Sequence, residues 1–496
     1  MNTSEARCSQ SNSTTKKQSE KPKTSKRGWA YIIKNQYQAY DDDKYREIIQ
    51  DTTIEFYREN KYNIVKPGKF AVKHDFSAPY HLFFTRVDSS EETYNQQYSI
   101  TFPEILDKSL GEIVNSLHLN FKVDITWLCT QYILAGQRTN MMILYGNRTD
   151  ETELGDNITA IQMKKPSNFG CHHTKIIILQ YSDGGIRVVV STANLFSKDW
   201  EDKTQGLWIS PHLSPLPEYA NLCVGESKTN FKKDLYKYLS KYENPDLHQW
   251  IEIVKKTNFS DVNVFLITSV PGDYEHDNAC WGYNKLSHIL FYHATLPEDA
   301  QKWPLIAQSS SIGSLGSSYK KSWLSEEIVE SMSYTQETTQ DSENPEFKFI
   351  YPSLKNYKQS YDYEYYRSSC LCYSRDRHDK QKWIESYLYQ WRAERTGRTR
   401  AMPHIKSYTR VSPDLKSIPW FVLTSANLSK AAWGGQYYNK YSIKNYEVGV
   451  VFLPKFITKT TTFPIKDEDN SAVPIFPIPY DLPLHRYNEW DTPYIT

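Results

Sequence analysis

Two stretches decide the reading. Cys171-His-His-Thr-Lys-Ile-Ile-Ile-Leu179 is followed by a turn at Ser182-Asp-Gly-Gly185, a strand pattern Ile186-Arg-Val-Val-Val190, and then Ser191-Thr-Ala-Asn-Leu-Phe-Ser-Lys-Asp-Trp200. Far downstream, Met402-Pro-His-Ile-Lys-Ser-Tyr408 precedes a turn around Ser412-Pro-Asp414, and Trp420-Phe-Val-Leu-Thr424 leads to Ser425-Ala-Asn-Leu-Ser-Lys-Ala-Ala-Trp433. Each copy reads His-x-Lys, hairpin, Ala-Asn-Leu, and a tryptophan six residues after the asparagine. The His-to-Asn spacing is 21 residues in one and 23 in the other, and the motifs lie 231 residues apart. A lone His-x-Lys carries no weight in a chain of 13 histidines, and His378-Asp-Lys380 is one without the hairpin or the asparagine. A whole element repeated with its spacings kept is the signature of a duplicated half-molecule.

Side chains at i and i+2 of a strand share a face. His173 and Lys175 are therefore expected to project together, as are His404 and Lys406, with each hairpin returning Asn194 or Asn427 beside its own pair. An imidazole, a cation and an amide donor at one spot suit a phosphate. Two such sets facing across a pseudo-dyad place a histidine on either side of a phosphorus atom, one to attack and one to protonate the leaving oxygen. The residues alone leave open which attacks.

At 496 residues the chain has room for several domains, and 39 % apolar with 24 % charged residues is an ordinary globular composition. No apolar run approaches the length of a membrane span, and the first residues lack the apolar core of a signal peptide. Seven cysteines, with only Cys370 and Cys372 close together, point to a reducing compartment without a disulfide framework. Net charge is only +1, but residues 1–30 carry Arg7, Lys16, Lys17, Lys21, Lys23, Lys26 and Arg27 against Glu5 and Glu20. So polar a segment cannot bury a core; it reads as a solvated tail, or as a nuclear-import signal or DNA tether. Residues 1–76 are thus expected to form a poorly ordered basic tail, with an N-terminal lobe over 77–271 and a C-terminal lobe over 272–496. Helical and strand patterns alternate through both; the Phe102–Leu117 segment reads as an amphipathic helix, Lys382–Arg395 as a helix, and the polar 331–347 insertion as a surface loop.

The duplicated motif resembles the phospholipase D superfamily, whose pattern continues from His-x-Lys through four residues to an aspartate. This chain has Gln180 and Val411 there instead. With a later asparagine in place of the aspartate, it resembles the tyrosyl-DNA phosphodiesterase family. So do Phe169-Gly-Cys-His-His-Thr-Lys175, Lys203-Thr-Gln-Gly206, Gln308-Ser-Ser-Ser-Ile-Gly-Ser-Leu-Gly316, Ala401-Met-Pro-His-Ile-Lys406, Thr424-Ser-Ala-Asn-Leu-Ser-Lys-Ala-Ala-Trp-Gly434 and Pro479-Tyr-Asp-Leu-Pro483. The resemblance runs from about residue 78 to the C-terminus.

It implies an α/β fold of two similar lobes, each a mixed sheet between helices, related by a pseudo-two-fold with one shared active site. It implies His173 as nucleophile and His404 as the acid, then base. Lys175, Lys406, Asn194 and Asn427 would hold the non-bridging oxygens, with Gln205 and Glu447 orienting the histidines. Ser310, Ser311, Ser314, Lys380, Ser429 and Ala431 would meet DNA phosphates, and Phe169 would stack on a base. The substrate implied is DNA with a 3′-linked tyrosine or topoisomerase peptide, cleaved by a monomer in the nucleus with no cofactor, no metal and no membrane. His172, adjacent to His173, points to the opposite face and reads as a packing residue. Arg392, Arg395, Arg398 and Arg400 face either nucleic acid or solvent. The alternatives are a phospholipase or nuclease of the same superfamily, and a non-catalytic DNA-end-binding scaffold.

Overall fold

The computed structural model describes residues 42–496 apart from 152, 153, 222, 276–279, 334, 336–343 and 468–471. The basic segment 1–30 and much of the 331–347 insertion lie outside the described residues.

Eight strands build the first sheet: β1 (Leu82–Thr85), β2 (Ser99–Ile100), β3 (Ile113–Val123), β4 (Asn140–Arg148), β5 (Ile158–Gln162), β6 (Ile176–Tyr181), β7 (Ile186–Ser191) and β9 (Gly206–Ile209), while β8 (Lys203–Thr204) pairs elsewhere. Their order is β2-β1-β9-β7-β6-β3-β4-β5. The second sheet takes β10 (Phe265–Ser269), β12 (Leu305–Gln308), β13 (Phe347–Ile350), β14 (Leu388–Tyr389), β16 (Ser407–Arg410), β18 (Phe421–Thr424) and β21 (Glu447–Phe452), in the order β10-β21-β18-β16-β12-β13-β14. Apart from the extra edge strand β2, the two orders superimpose with every pairing direction kept. β6–β7 and β16–β18 are the antiparallel hairpins of the repeated motif, and β3–β4 and β12–β13 are their parallel flanks. Since β10 is the edge of the second sheet, that sheet begins before the boundary expected at residue 272.

Both faces of the first sheet are buried, as the unbroken apolar run Ile176-Ile-Ile-Leu179 requires. Ile176, Ile178, Val188 and Val190 face a core shared with the second lobe, and Ile177, Leu179 and Val189 face the helix Ile125–Ala135. The period of two assigns alternate residues to the two cores. Helices Phe231–Ser240 and His248–Lys255 contribute Phe231, Leu235, Tyr238 and Trp250 to the shared core. The two sheets are therefore held against each other by packing.

Three further expectations are corrected. Within 1–76, Asp43–Glu59 is a 17-residue helix whose N-cap Asp42 accepts from the Lys44 N–H, and Phe70–Phe76 is a second helix. Ile49, Ile54 and Tyr57, spaced for one helical face, bury against Ile133 and Leu134. Phe102–Leu117 is not one helix: Phe102–Ile105 forms a single turn with a Thr101–Glu104 capping box, and β3 starts at Ile113. Lys382–Arg395 is not an α-helix: Lys382–Tyr387 is a short 3-10 helix that runs directly into β14.

Candidate active site

The motif residues are not inside the regular strands, which begin at Ile176 and Ser407. They form extended lead-ins, each stitched to the opposite lobe. His172 bridges Tyr446, with Tyr446 N–H donating to Cys171 O and His173 N–H donating to Tyr446 O, both at 3.0 Å. In the other half, β15 (Met402–Pro403) pairs with β8, and the His404 and Ile405 N–H groups both donate to Thr204 O at 2.9 Å. Each lead-in thus runs beside the residue that precedes the other lobe's orienting side chain, Glu447 or Gln205.

The consequence is a crossed pair of contacts. His173 Nδ1 meets Glu447 Oε2 at 2.8 Å, and His404 Nδ1 meets Gln205 Oε1 at 3.1 Å. Glu447 is fixed by hydroxyl donation from Ser425 and by Asn445 Nδ2 on its second oxygen, at 3.0 Å. Gln205 is fixed by Thr192 Oγ1 donating to Oε1 at 2.8 Å, while its Nε2 donates to Asp199 O. Both acceptors therefore demand a proton on Nδ1. That leaves Nε2 of each ring, with no hydrogen bond among the described residues, for chemistry.

The alternation expected for His-x-Lys holds in the lead-ins. Lys175 Nζ donates to His173 O at 3.1 Å and Lys406 Nζ to His404 O, while the intervening Thr174 points the other way, onto Tyr238 and Tyr242. All four motif side chains are buried or nearly so. Burial pushes Lys175 down to about 8, against the opposing pull of Glu447, and burial with the Lys175 charge pushes Lys406 to about 7. Burial also lowers both imidazoles. For His173 the Glu447 charge opposes the shift, whereas His404 falls well below its usual value under the added charges of Lys406 and Lys175. Burial alone raises the Glu447 carboxyl, but the His173 charge and hydrogen bond, with Lys175, outweigh it and leave it lowered. Two buried lysines thus converge beside the two imidazoles, a concentration of cationic side chains that suits a phosphate.

The asparagines are held unequally. Asn194 gives both its backbone N–H and its Nδ2 to Asp199 Oδ2, at 2.8 and 2.9 Å, and Trp200 Nε1 donates to Asn194 O. Asn427 Oδ1 instead accepts from Ser310 Oγ at 3.2 Å. Ser310 is buried and Ser311 half-buried against Cys372, while Ser314 is exposed. Gly313 N–H donates to Leu428 O, bringing this loop against Ser429, while Ala431 O accepts from the Lys444 and Asn445 N–H groups. Lys380 is exposed and paired with Asp376 at 2.9 Å; its neighbour Gln381 clamps the loop through Leu315 N–H and Gly313 O. Phe169 is 88 % exposed. A Cβ on the next residue, Gly170, would stand 2.2 Å from Lys444 O, so the Phe169 segment lies directly on the strand end leading to Glu447.

His172 is a packing residue, its ring held between Asn120 O and Tyr242 Oη and pushed down to about 3 by burial. The arginine cluster divides: Arg398 is buried and donates to Thr85 O, Arg400 pairs with Glu364, Arg395 donates to Ile478 O, and Arg392 is exposed. The first three are engaged within the protein. Asp199, Thr192, Ser425, Asn445 and Gln381 escaped the sequence reading. Asp199 is not part of the repeat, since Ala432 occupies the equivalent position five residues after Asn427. Among the described residues no three His, Cys, Asp or Glu side chains gather as a metal-holding group, and no helix is long and apolar enough to cross a membrane.

The family model described as tyrosyl-DNA phosphodiesterase matches residues 81–488. The chain is 43 % identical over 448 residues to "Tyrosyl-DNA phosphodiesterase 1" of Drosophila melanogaster, spanning 87 % of this chain and 76 % of that one. It is 32 % identical over 410 residues to the "Probable tyrosyl-DNA phosphodiesterase" of Caenorhabditis elegans, spanning 79 % and 84 %. The crystal structure of the yeast tyrosyl-DNA phosphodiesterase superimposes with a TM-score of 0.63 at 19 % identity, over 84 % of this chain and 99 % of that one, a likeness of fold.

Proposed function

The chain belongs to the tyrosyl-DNA phosphodiesterase family, and on that premise we propose that it hydrolyses the 3′-phosphotyrosyl bond left on DNA by a stalled type IB topoisomerase. The observation that carries the reading is the crossed pair of imidazoles, each with Nδ1 tied to the other lobe and Nε2 free, flanked by Lys175 and Lys406.

His173 Nε2 attacks phosphorus. The phosphorus–oxygen bond to tyrosine breaks, its electron pair goes to the phenolic oxygen, and the proton on His404 Nε2 follows it. His404, now neutral, takes a proton from water; the oxygen attacks, the phosphorus–nitrogen bond to His173 breaks, and a 3′-phosphate leaves. In the free protein, burial and the lysines keep the His404 imidazole neutral. The phosphodiester anion offsets those lysine charges, so binding substrate raises the affinity of His404 for the proton it must donate. Asn194, Asn427 and the two lysines stabilise the equatorial oxygens of the transition state. Gln205 and Glu447 hold the tautomers.

Ser310, Ser311, Ser314, Ser429, Ala431 and Lys380 follow the DNA backbone away from the scissile phosphate, and Phe169 stacks on a base, a contact tolerant of sequence. The enzyme acts in the nucleus as a monomer, with residues 1–30 as import signal or DNA tether. The reaction uses no metal, because two lysines and two amides supply the charge and donors a divalent ion would bring. The test is a 3′-phosphotyrosyl oligonucleotide in excess EDTA: a 3′-phosphate product supports the reading. No cleavage, or cleavage that only Mg²⁺, Mn²⁺ or Zn²⁺ restores, overturns it.

A further inference from the structure

Asp199 is 2 % exposed and sits on the short helix Ser197–Glu201, between the two halves of the site. One oxygen, Oδ2, takes both hydrogen bonds from Asn194, and the same oxygen lies 3.6 Å from His404 Nδ1. No other carboxylate is within ion-pairing distance of His404 among the described residues. The groups bearing on that imidazole are otherwise cationic or neutral: Lys406, Lys175, His173 and Lys203, the last paired with Asp362 at 3.1 Å. Cys370, near Lys406 and Asp199, is held as a neutral thiol by burial. The direct partner of His404, Gln205, is uncharged.

His173 has Glu447 as a charged partner and His404 has none at hydrogen-bond distance, although His404 is the ring that must carry a full positive charge before it acts. We infer that Asp199 is a positioning residue for the reaction proposed above: its carboxylate stabilises the protonated form of His404 and, through the same oxygen, fixes the amide of Asn194 towards the phosphate. The asymmetry of the two halves follows from this division of labour. The half serving the nucleophile needs no second carboxylate, and Ala432 stands at the matching position.

The two duties separate in two variants. Asp199→Asn keeps an acceptor for both Asn194 N–H groups and removes only the charge; Asp199→Ala removes both. With a tyrosyl leaving group, Asp199→Asn lowers kcat on the order of tenfold, part of the general-acid contribution, and leaves KM unchanged. The alkaline limb of its kcat profile moves about one to three units to lower pH. That is the required sign, since kcat falls as His404 loses its proton and Asp199 raises the pH at which it does so. Asp199→Ala adds a rise in KM. With a nitrophenyl ester of the same oligonucleotide, whose phenol is far more acidic than tyrosine, single-turnover release needs little proton assistance and Asp199→Asn releases nitrophenol at the wild-type rate. A melting temperature equal to wild type shows that Asp199→Asn folds, should Asp199→Ala not.

A wild-type profile for Asp199→Asn on the tyrosyl substrate, or an equal loss on both substrates, overturns the assignment. Because wild type is run alongside, an inactive wild type would instead sink the proposed reaction itself.

Discussion

His173 and Glu447, 274 residues apart in sequence and on opposite lobes, meet at 2.8 Å between Nδ1 and Oε2. His404 and Gln205 repeat the relationship in the other direction at 3.1 Å. Neither lobe can orient its own histidine, so the duplicated halves are obliged to work as one site.

Glu447→Gln should therefore disable the nucleophile without unfolding the protein, since the amide retains an acceptor for Ser425 and for His173 Nδ1. Glu447 is the charge that opposes the downward shift of His173, so its neutralisation makes Nε2 a weaker base and nucleophile. Single-turnover tyrosine release should slow at least on the order of a hundredfold, as when a carboxylate behind a catalytic imidazole is replaced by an amide. Thermal denaturation run in parallel checks the fold.

The repeat made the central hairpin of each sheet legible, because β6–β7 and β16–β18 carry turn signals and strand-like runs at matched spacing. Its limits were physical. Ile113 and Leu117 sit at a spacing that a helix also satisfies, and a strand buried on both faces has no alternation to contradict it. The Asp43–Glu59 helix has a sound cap and apolar face, but the polar residues around Ile49, Ile54 and Tyr57 mask the stripe. Lys382–Arg395 looked helical from charge alone, whereas Trp391 and Ile384 are drawn into the core and bend the chain. Contacts between lobes, such as Asn445 with Glu447's oxygen or Thr204 under His404, leave no trace in local spacing.

The lysines predict the pH dependence. Their folded values, about 8 for Lys175 and about 7 for Lys406, lie below the ordinary 10.5. Raising pH removes their charge in the free enzyme, so kcat/KM should decline from about pH 7 upward. The decline in kcat should lie at higher pH, because bound phosphodiester pulls both values up. A kcat/KM profile flat to pH 9 would contradict this.

The same shifts carry a stability sign. A depressed folded value contributes stability above the unfolded value of 10.5, lost as pH falls through 8 and 7. At neutral pH the buried charge is a burden, and Lys406→Met should raise the melting temperature while abolishing cleavage, a trade between stability and activity. A lower melting temperature would show that Lys406 is satisfied in the free protein.

Removing residues 1–41 should leave the chemical step intact, since no site residue lies there. Removing 1–60 should not be neutral. It uncovers Ile133 and Leu134 and deletes the buried Ile49, Ile54 and Tyr57, where an apolar side chain contributes about 1.5–3 kcal/mol by burial. Comparing urea midpoints of the two truncations checks the difference.

The most direct test of the central claim separates the histidines. Tyrosine's phenol, with an ordinary pKa of about 10, can leave slowly without full protonation. Water, with a pKa of about 15.7 and no metal to lower it, depends on a base. Losing His404 should slow the second step more than the first. His404→Ala, incubated with the 3′-phosphotyrosyl oligonucleotide and run on a denaturing gel, should accumulate a shifted, acid-labile protein–DNA band, and His173→Ala should give neither band nor product. A band with His173→Ala and none with His404→Ala would reverse the roles of the two residues.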